Sequence, residues 1–227
     1  MAKDKLRKFA EVSQMDHVIE PSHDEMMEGA DRLRGKWCSD VFKIERPITL
    51  ELACGKGEYT LDMARMFPER NHIGVDIKGN RIWRGAKTSK EEGLDNVAFL
   101  RTRIEGIHSF FGEEEVDQIW ITFPDPHKKE RRRNHRLTHP RFLDLYRKIL
   151  KPGGTINLKT DSSTLYDFTM DVILEQGLKV HQQTMDVYTL GAKKFPDELM
   201  SLMETKTHYE KMWLEDGKQI KFIRFEL

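Results

Sequence analysis

The sequence has two cysteines in 227 residues, no net charge and no long apolar run. No stretch approaches the roughly 18 apolar residues that a membrane helix needs, so a membrane-spanning role is excluded from the expectation. The amino end, "MAKDKLRKFAEVSQMDH", lacks the continuous apolar core of a secretory signal. The chain is therefore expected to be cytoplasmic, with Cys38 and Cys54 as reduced thiols. There is no internal repeat and no low-complexity segment. A hydrophobic share of 38% and a charged share of 33% describe a soluble globular chain, long enough for one sizeable core. Residues 1–40 show scattered apolar positions without a periodic face, and are expected to form a partly flexible arm ahead of a single domain over 41–227.

The zero net charge is an average over unlike parts. Residues 127–136 hold Lys128, Lys129, Arg131, Arg132, Arg133 and Arg136 against Glu130, a local charge of +5, so the rest carries −5. The segment follows "FPDP" (123–126), where an Asp between two prolines ends an apolar run. A charge run is often only a solvated face. This one starts two residues after Asp125, so a polyanion held on it would lie beside that carboxylate, bound with affinity but without sequence choice.

From residue 47 a regular alternation begins. "PITLELACGKGEYTLDMARMF" reads as strand, glycine turn and helix. "NHIGVDI" (71–77) reads as a second strand, and a helix carrying Ile82 and Ala86 is expected to stop at Gly93. "NVAFL" (96–100) and "VDQIWITF" (116–123) read as strands around a short helix over 104–111. Thr138 is expected to cap a helix with Pro140 in its first turn and Phe142, Leu145, Tyr146 and Ile149 on one face. "TINLKT" (155–160) precedes another helix, capped within 161–163, and the tail adds two strand-like runs. Strands alternating with helices predict an α/β fold, a doubly wound and mostly parallel sheet with an antiparallel C-terminal addition.

In such a sheet ligands bind outside the carboxyl ends of the strands. Those ends carry Glu51 to Gly57, Asp76, Phe123 to Pro126, and Thr160-Asp161. Gly55 and Gly57 let backbone approach a ligand, but the third glycine of G-x-G-x-x-G is missing, since Thr60 stands there. This disfavours a dinucleotide and an NAD-dependent oxidoreductase. Asp76 is placed to accept from ribose hydroxyls. Taken singly, two glycines can be a tight turn and an acid after a strand a helix cap; together they favour S-adenosylmethionine, with its ribose diol and cationic sulfonium. No metal site is assigned.

The order "FPDP" with a basic run ending in "RLT", then "LKPGG", "KTD" and "THYE" (207–210) resembles the bacterial tRNA (guanine-N7)-methyltransferases, class I enzymes that use S-adenosylmethionine. The likeness covers roughly residues 45–226. It implies methyl transfer to N7 of a guanine in tRNA, the variable-loop guanine 46, with tRNA as partner. It implies that Glu51, Asp76 and Asp125 contact the cofactor or lie at the reaction centre, and that Lys129, Asp161, Thr207, His208, Tyr209 and Glu210 touch the substrate nucleotide. Three positions depart from the family pattern: Ala53 for a first glycine, His127 for a Trp after "DP", and Arg103 for an acid near the adenine. No carboxylate role is carried onto Arg103.

Guanine N7 has an in-plane lone pair, so its methylation needs alignment rather than proton removal, and it leaves a cationic purine. Asp125 is the first choice for the carboxylate beside that ring, although an Asp-Pro turn alone would also explain it. Thr207 and Glu210 also fit a capping box. A methyltransferase acting on a base amino nitrogen is disfavoured because "FPDPH" lacks the aromatic of a "PPY"-like motif. A non-catalytic RNA-binding protein would have no reason to keep Glu51, the glycines and Asp76 together. Oligomeric state, monomer or homodimer, is left open.

Overall fold

The computed structural model describes residues 2–28, 32–191 and 195–227, without the side chains of residues 2–5, 26–28, 190, 191, 197, 198, 208 and 209. In chain order the elements are α1 (Ala2–Val12), β1 (Val18–Ile19), α2 (His23–Glu28), β2 (Ile48–Leu52), α3 (Glu58–Met66), β3 (Asn71–Asp76), α4 (Gly79–Glu92), β4 (Val97–Arg101) and β5 (Val116–Thr122). There follow α5 (Pro140–Arg147), β6 (Leu150–Thr160), α6 (Ser163–Glu175), β7 (Val180–Thr184), α7 (Asp197–Glu204), α8 (His208–Glu215) and β8 (Lys221–Glu226). Short 3-10 turns cover Ile104–Ser109 and Glu130–His135.

The eight strands form one sheet in the order β1-β4-β3-β2-β5-β6-β8-β7. All neighbours up to β6 are parallel, while β8 runs antiparallel to both β6 and β7. Every residue of β2 is buried, including Thr49 and Glu51, as expected of a central strand covered on both faces. The chain winds outward from β2 through β3 and β4, then returns to β5 on the other side of β2. The switch point therefore lies between β2 and β5, and their carboxyl ends open a crevice.

Local signals hold at several ends. Gly93 ends α4 in the left-handed conformation (φ 69°), and Leu94 N–H returns to Ser89 O at 3.0 Å, a Schellman closure. Ser162 caps α6 by accepting from Leu165 N. The cap of α5 differs from expectation: His139 accepts from Arg141 N, whereas Thr138 is buried and bonds the Thr169 hydroxyl at 2.7 Å. Pro140 holds the first turn as anticipated, but the helix stops at Arg147, before Ile149.

The first 40 residues do not form a separate arm in their described parts. Trp37 is fully buried, donates from Nε1 to Phe110 O at 2.8 Å and stacks on Phe111 at 5.0 Å. Val12 and Val18 join a core cluster with Ile82, Ala86 and Phe99, and β1 pairs with β4 at the sheet edge. These apolar positions serve several elements, each too short to show a period. Among the described residues no helix is long and apolar enough to cross a membrane.

Candidate active site

The carboxyl ends of β2 and β5 open into two adjoining chambers of about 100 and 480 Å³ that share Ala53, Arg81 and Phe123. The smaller chamber is lined by Glu51, Gly55 and Thr207, the larger by Asp76, Ile77 and Asp125. A ligand spanning both would be elongated with two unlike ends.

Glu51 lies at the floor of the smaller chamber, 2% exposed. Its carboxylate accepts from the Thr60 hydroxyl on α3 and the Thr122 hydroxyl on β5, tying helix and strand together beneath the crevice. Burial raises its pKa to about 7, against the two hydroxyls that lower it, and the nearby Asp76 adds to the rise. A cation in the chamber would favour the ionised form.

Asp76 ends β3, and its two oxygens are held by backbone amides: Gly55 N donates to Oδ2 at 3.0 Å and Lys78 N to Oδ1 at 2.8 Å. Each carboxylate oxygen retains a lone pair for a second donor. A ribose diol presents that pair of donors. Beside it Ile77, 48% exposed despite being apolar, supplies a wall on which a flat base can lie.

The loop between β2 and α3 runs through three left-handed residues, Ala53 (φ 58°), Gly55 (φ 59°) and Gly57 (φ 72°). Ala53 thus carries a conformation that glycine would adopt without steric cost, in keeping with the first glycine that the resemblance implies there. At Gly57 a Cβ would stand 2.7 Å from the Phe99 ring, so only glycine allows α3 to approach the sheet this closely. The missing third glycine is explained as well, because Thr60 spends its hydroxyl on Glu51.

On the other lip, Phe123 leaves β5 with φ 47°, before Pro124, and lines both chambers. Asp125 follows on the rim with its side chain 75% exposed, and its Oδ1 accepts from His127 N at 3.1 Å in an Asx turn. Its Oδ2 makes no hydrogen bond among the described residues.

The expected site residues divide accordingly. Glu51, Gly55, Asp76, Asp125 and Thr207 meet at the crevice, with Gly57 behind it. Lys128, Lys129, Arg131, Arg132 and Arg133 are exposed on the turn beside the Asp125 rim. Asp161 pairs with Lys218 at 3.4 Å rather than capping α6. The side chains of His208 and Tyr209 lie outside the described ones.

Two expectations need correction. Arg136, counted among the RNA-binding residues, has a side chain only 4% exposed. It donates to His127 O at 3.2 Å and stacks its guanidinium over Phe168 at 4.5 Å, so it shapes the loop from inside. Glu210, counted at the substrate, is fully buried in an ion pair with Lys159 at 2.9 Å and accepts from the Tyr188 hydroxyl at 2.6 Å. Lys159 Nζ also donates to Met203 O and Thr205 O. Burial lowers the Lys159 pKa, opposed by Glu210, and raises that of Tyr188. Only half of the capping box forms: Thr207 Oγ1 accepts from Glu210 N, while the Glu210 side chain turns inward and fixes Thr207 over the crevice. Arg81, Lys56 and Ile77 were not anticipated, because single residues in a helix turn or after a strand leave no local pattern.

A family model described as a putative methyltransferase matches residues 45–223. A tRNA (guanine-N(7)-)-methyltransferase of Christiangramia forsetii is 46% identical over 226 residues, covering 100% of this chain and 99% of that protein. Another from Porphyromonas gingivalis is 51% identical over 195 residues, 86% of this chain and 77% of its own length. The chain belongs to the tRNA (guanine-N(7)-)-methyltransferase family. Among solved structures, the 16S rRNA methyltransferase KamB superposes with TM-score 0.59 at 14% identity, covering 92% of this chain and 95% of its own. A structure titled as an antibiotic-related methyltransferase does so with TM-score 0.57 at 16% identity and the same coverage. These place the fold among class I methyltransferases. For this family the residues present fit S-adenosylmethionine: Asp76 suits its ribose, and Glu51 its positive charge.

Proposed function

We infer that this protein transfers a methyl group from S-adenosylmethionine to N7 of a guanine in tRNA, giving 7-methylguanosine. The observation that carries the reading is Asp125: an exposed carboxylate on the rim of the crevice, fixed through one oxygen, and followed directly by an exposed basic segment.

When bound, S-adenosylmethionine supplies an electrophilic methyl carbon on a cationic sulfur. Asp76 accepts from the ribose hydroxyls, and its own orientation is set by the Gly55 and Lys78 amides. Glu51 offers negative charge to the cationic end from the floor of the smaller chamber. No general base is required, because N7 already bears its lone pair. What the protein adds is alignment and charge.

Asp125 accepts from guanine N1–H and the exocyclic amine, a donor pair that adenine does not present. As the purine becomes cationic, attraction to this carboxylate grows, so the interaction favours the transition state over the ground state. Asx-turn geometry and the flanking Pro124 and Pro126 limit the rotation that would blur this alignment. Lys129, Asp161 and Thr207 are assigned to the substrate nucleotide. Lys128, Arg131, Arg132 and Arg133 hold the RNA backbone, whose contribution falls steeply with salt. The variable-loop guanine 46 is the proposed target, and the cytoplasm the proposed compartment.

Replacing Asp125 by Ala tests the assignment. Methyl transfer to purified tRNA should fall by at least about 100-fold, the loss expected of one transition-state electrostatic contact, while tRNA affinity changes little. Full activity of the variant would refute it.

A further inference from the structure

The basic segment at 128–133 lies beside the larger chamber, whose lining includes His127 and His135. A groove of about 760 Å³ on the outer face of α3 and α4 opens from the smaller chamber, lined by seven Lys/Arg side chains against two carboxylates. Lys56, Arg81, Arg84, Lys206 and Lys211 line it and are all exposed. Among the described residues no carboxylate lies within ion-pair distance of any of these five. By contrast Arg65, also in the groove, is neutralised by Asp62 and by Glu92 at 2.7 Å. The five come from three separate places: the β2–α3 loop, α4, and the α7–α8 connection with α8. A chain with zero net charge has thus gathered uncompensated positive charge on a second surface remote in sequence from the first.

The groove is continuous with the crevice. Lys56, Glu58 and Arg81 line both the groove and the smaller chamber. Trp83 lines it too, but Lys8 Nζ lies 4.8 Å and Lys87 Nζ 5.3 Å from its ring, so the aromatic is taken up by cations. Such a surface suits phosphates better than stacked bases.

We propose that this groove is a second RNA-backbone site: a tRNA whose target base enters the crevice rests on the 128–133 segment at one end and on Lys56, Arg81, Arg84, Lys206 and Lys211 at the other. This rests on the tRNA reading above and extends it. Two basic supports, one beside the larger chamber and one opening from the smaller, fix the direction in which the RNA crosses the mouth, so that one base meets Asp125. A single basic loop would hold the polyanion without orienting it.

The test is the double charge reversal Arg84→Glu/Lys211→Glu, at two exposed positions that line the groove but neither chamber. Binding of bulk tRNA is measured at several salt concentrations beside the unaltered protein, with S-adenosylhomocysteine binding by calorimetry as the fold control. The expected result is a loss of at least about tenfold in tRNA affinity and a salt slope flattened by about 1.4 to 1.8, two phosphate contacts' worth, with cofactor-product binding unchanged. Equal affinity and equal slope in the variant, while the unaltered protein binds tRNA, overturns the groove site and leaves the tRNA reading standing. Failure of the unaltered protein to bind tRNA at all overturns both.

Discussion

Replacing Glu51 by Gln should make the protein more stable while weakening its hold on the cofactor. Burial raises the Glu51 pKa in the folded protein from the ordinary 4.5 to about 7. Between those values the unfolded chain gives up its proton first, so the native state holds the extra proton and stability falls as pH rises. Below about 4.5 the contribution is fully present, and above about 7 it is lost. The interval corresponds to roughly 3 kcal/mol at 1.36 kcal/mol per pH unit. Gln is neutral throughout and nearly isosteric, and the Thr60 or Thr122 hydroxyl can turn to accept from its amide. Allowing for one imperfect hydrogen bond, the gain at pH 8 is about 2 kcal/mol, or roughly 4 to 8 °C in Tm for a chain of this length, and it vanishes towards pH 4.5. Thermal unfolding of the cofactor-free protein and the variant at pH 5 and pH 8 measures it. Equal shifts at the two pH values would refute the argument that a buried charge is the cause. Calorimetry should show the opposite trend for S-adenosylmethionine, with affinity reduced in the variant.

Truncating Lys159 to Met leaves Glu210 buried and unpaired, so urea unfolding should show a loss of about 3 to 5 kcal/mol, and adding Glu210→Gln should restore a substantial part of it. If the single change costs less than 1 kcal/mol, the pair does not hold the α8 start in place. Gly57→Ala forces a Cβ to 2.7 Å from the Phe99 ring at a φ of 72°, and should cost about 2 to 4 kcal/mol with weakened cofactor binding. A variant as stable as the parent would show that α3 can back away from the sheet.

The parallel core was legible because its signals are local and regular. β2 and β5 are rich in Ile, Leu, Val and Trp and are followed by turn residues, and α4 ends on a glycine that adopts the left-handed conformation the sequence implies. The placement of Asp76 and Glu51 at the crevice was legible because strand ends in this fold are where ligands sit. What stayed hidden depends on partners distant in sequence. Nothing near Arg136 says that Phe168 will cover it, so a buried structural arginine read as one more cation of an exposed run. Glu210 matched a capping box locally, but its side chain is claimed by Lys159, 51 residues away. The basic groove is invisible for the same reason, being assembled from single cations at positions 56, 81, 84, 206 and 211. The α5 cap shifted by one residue because Thr138 found a buried partner in Thr169.

The proposed reaction brings a guanine N7 of tRNA to the methyl group at the crevice between β2 and β5. Incubating the protein with isotopically labelled S-adenosylmethionine and bulk tRNA, then digesting the RNA and identifying the labelled nucleoside by mass and chromatography, tests it directly. Label is expected in 7-methylguanosine and in no other nucleoside. Absence of label, or label on an exocyclic amino group, would contradict the proposed reaction.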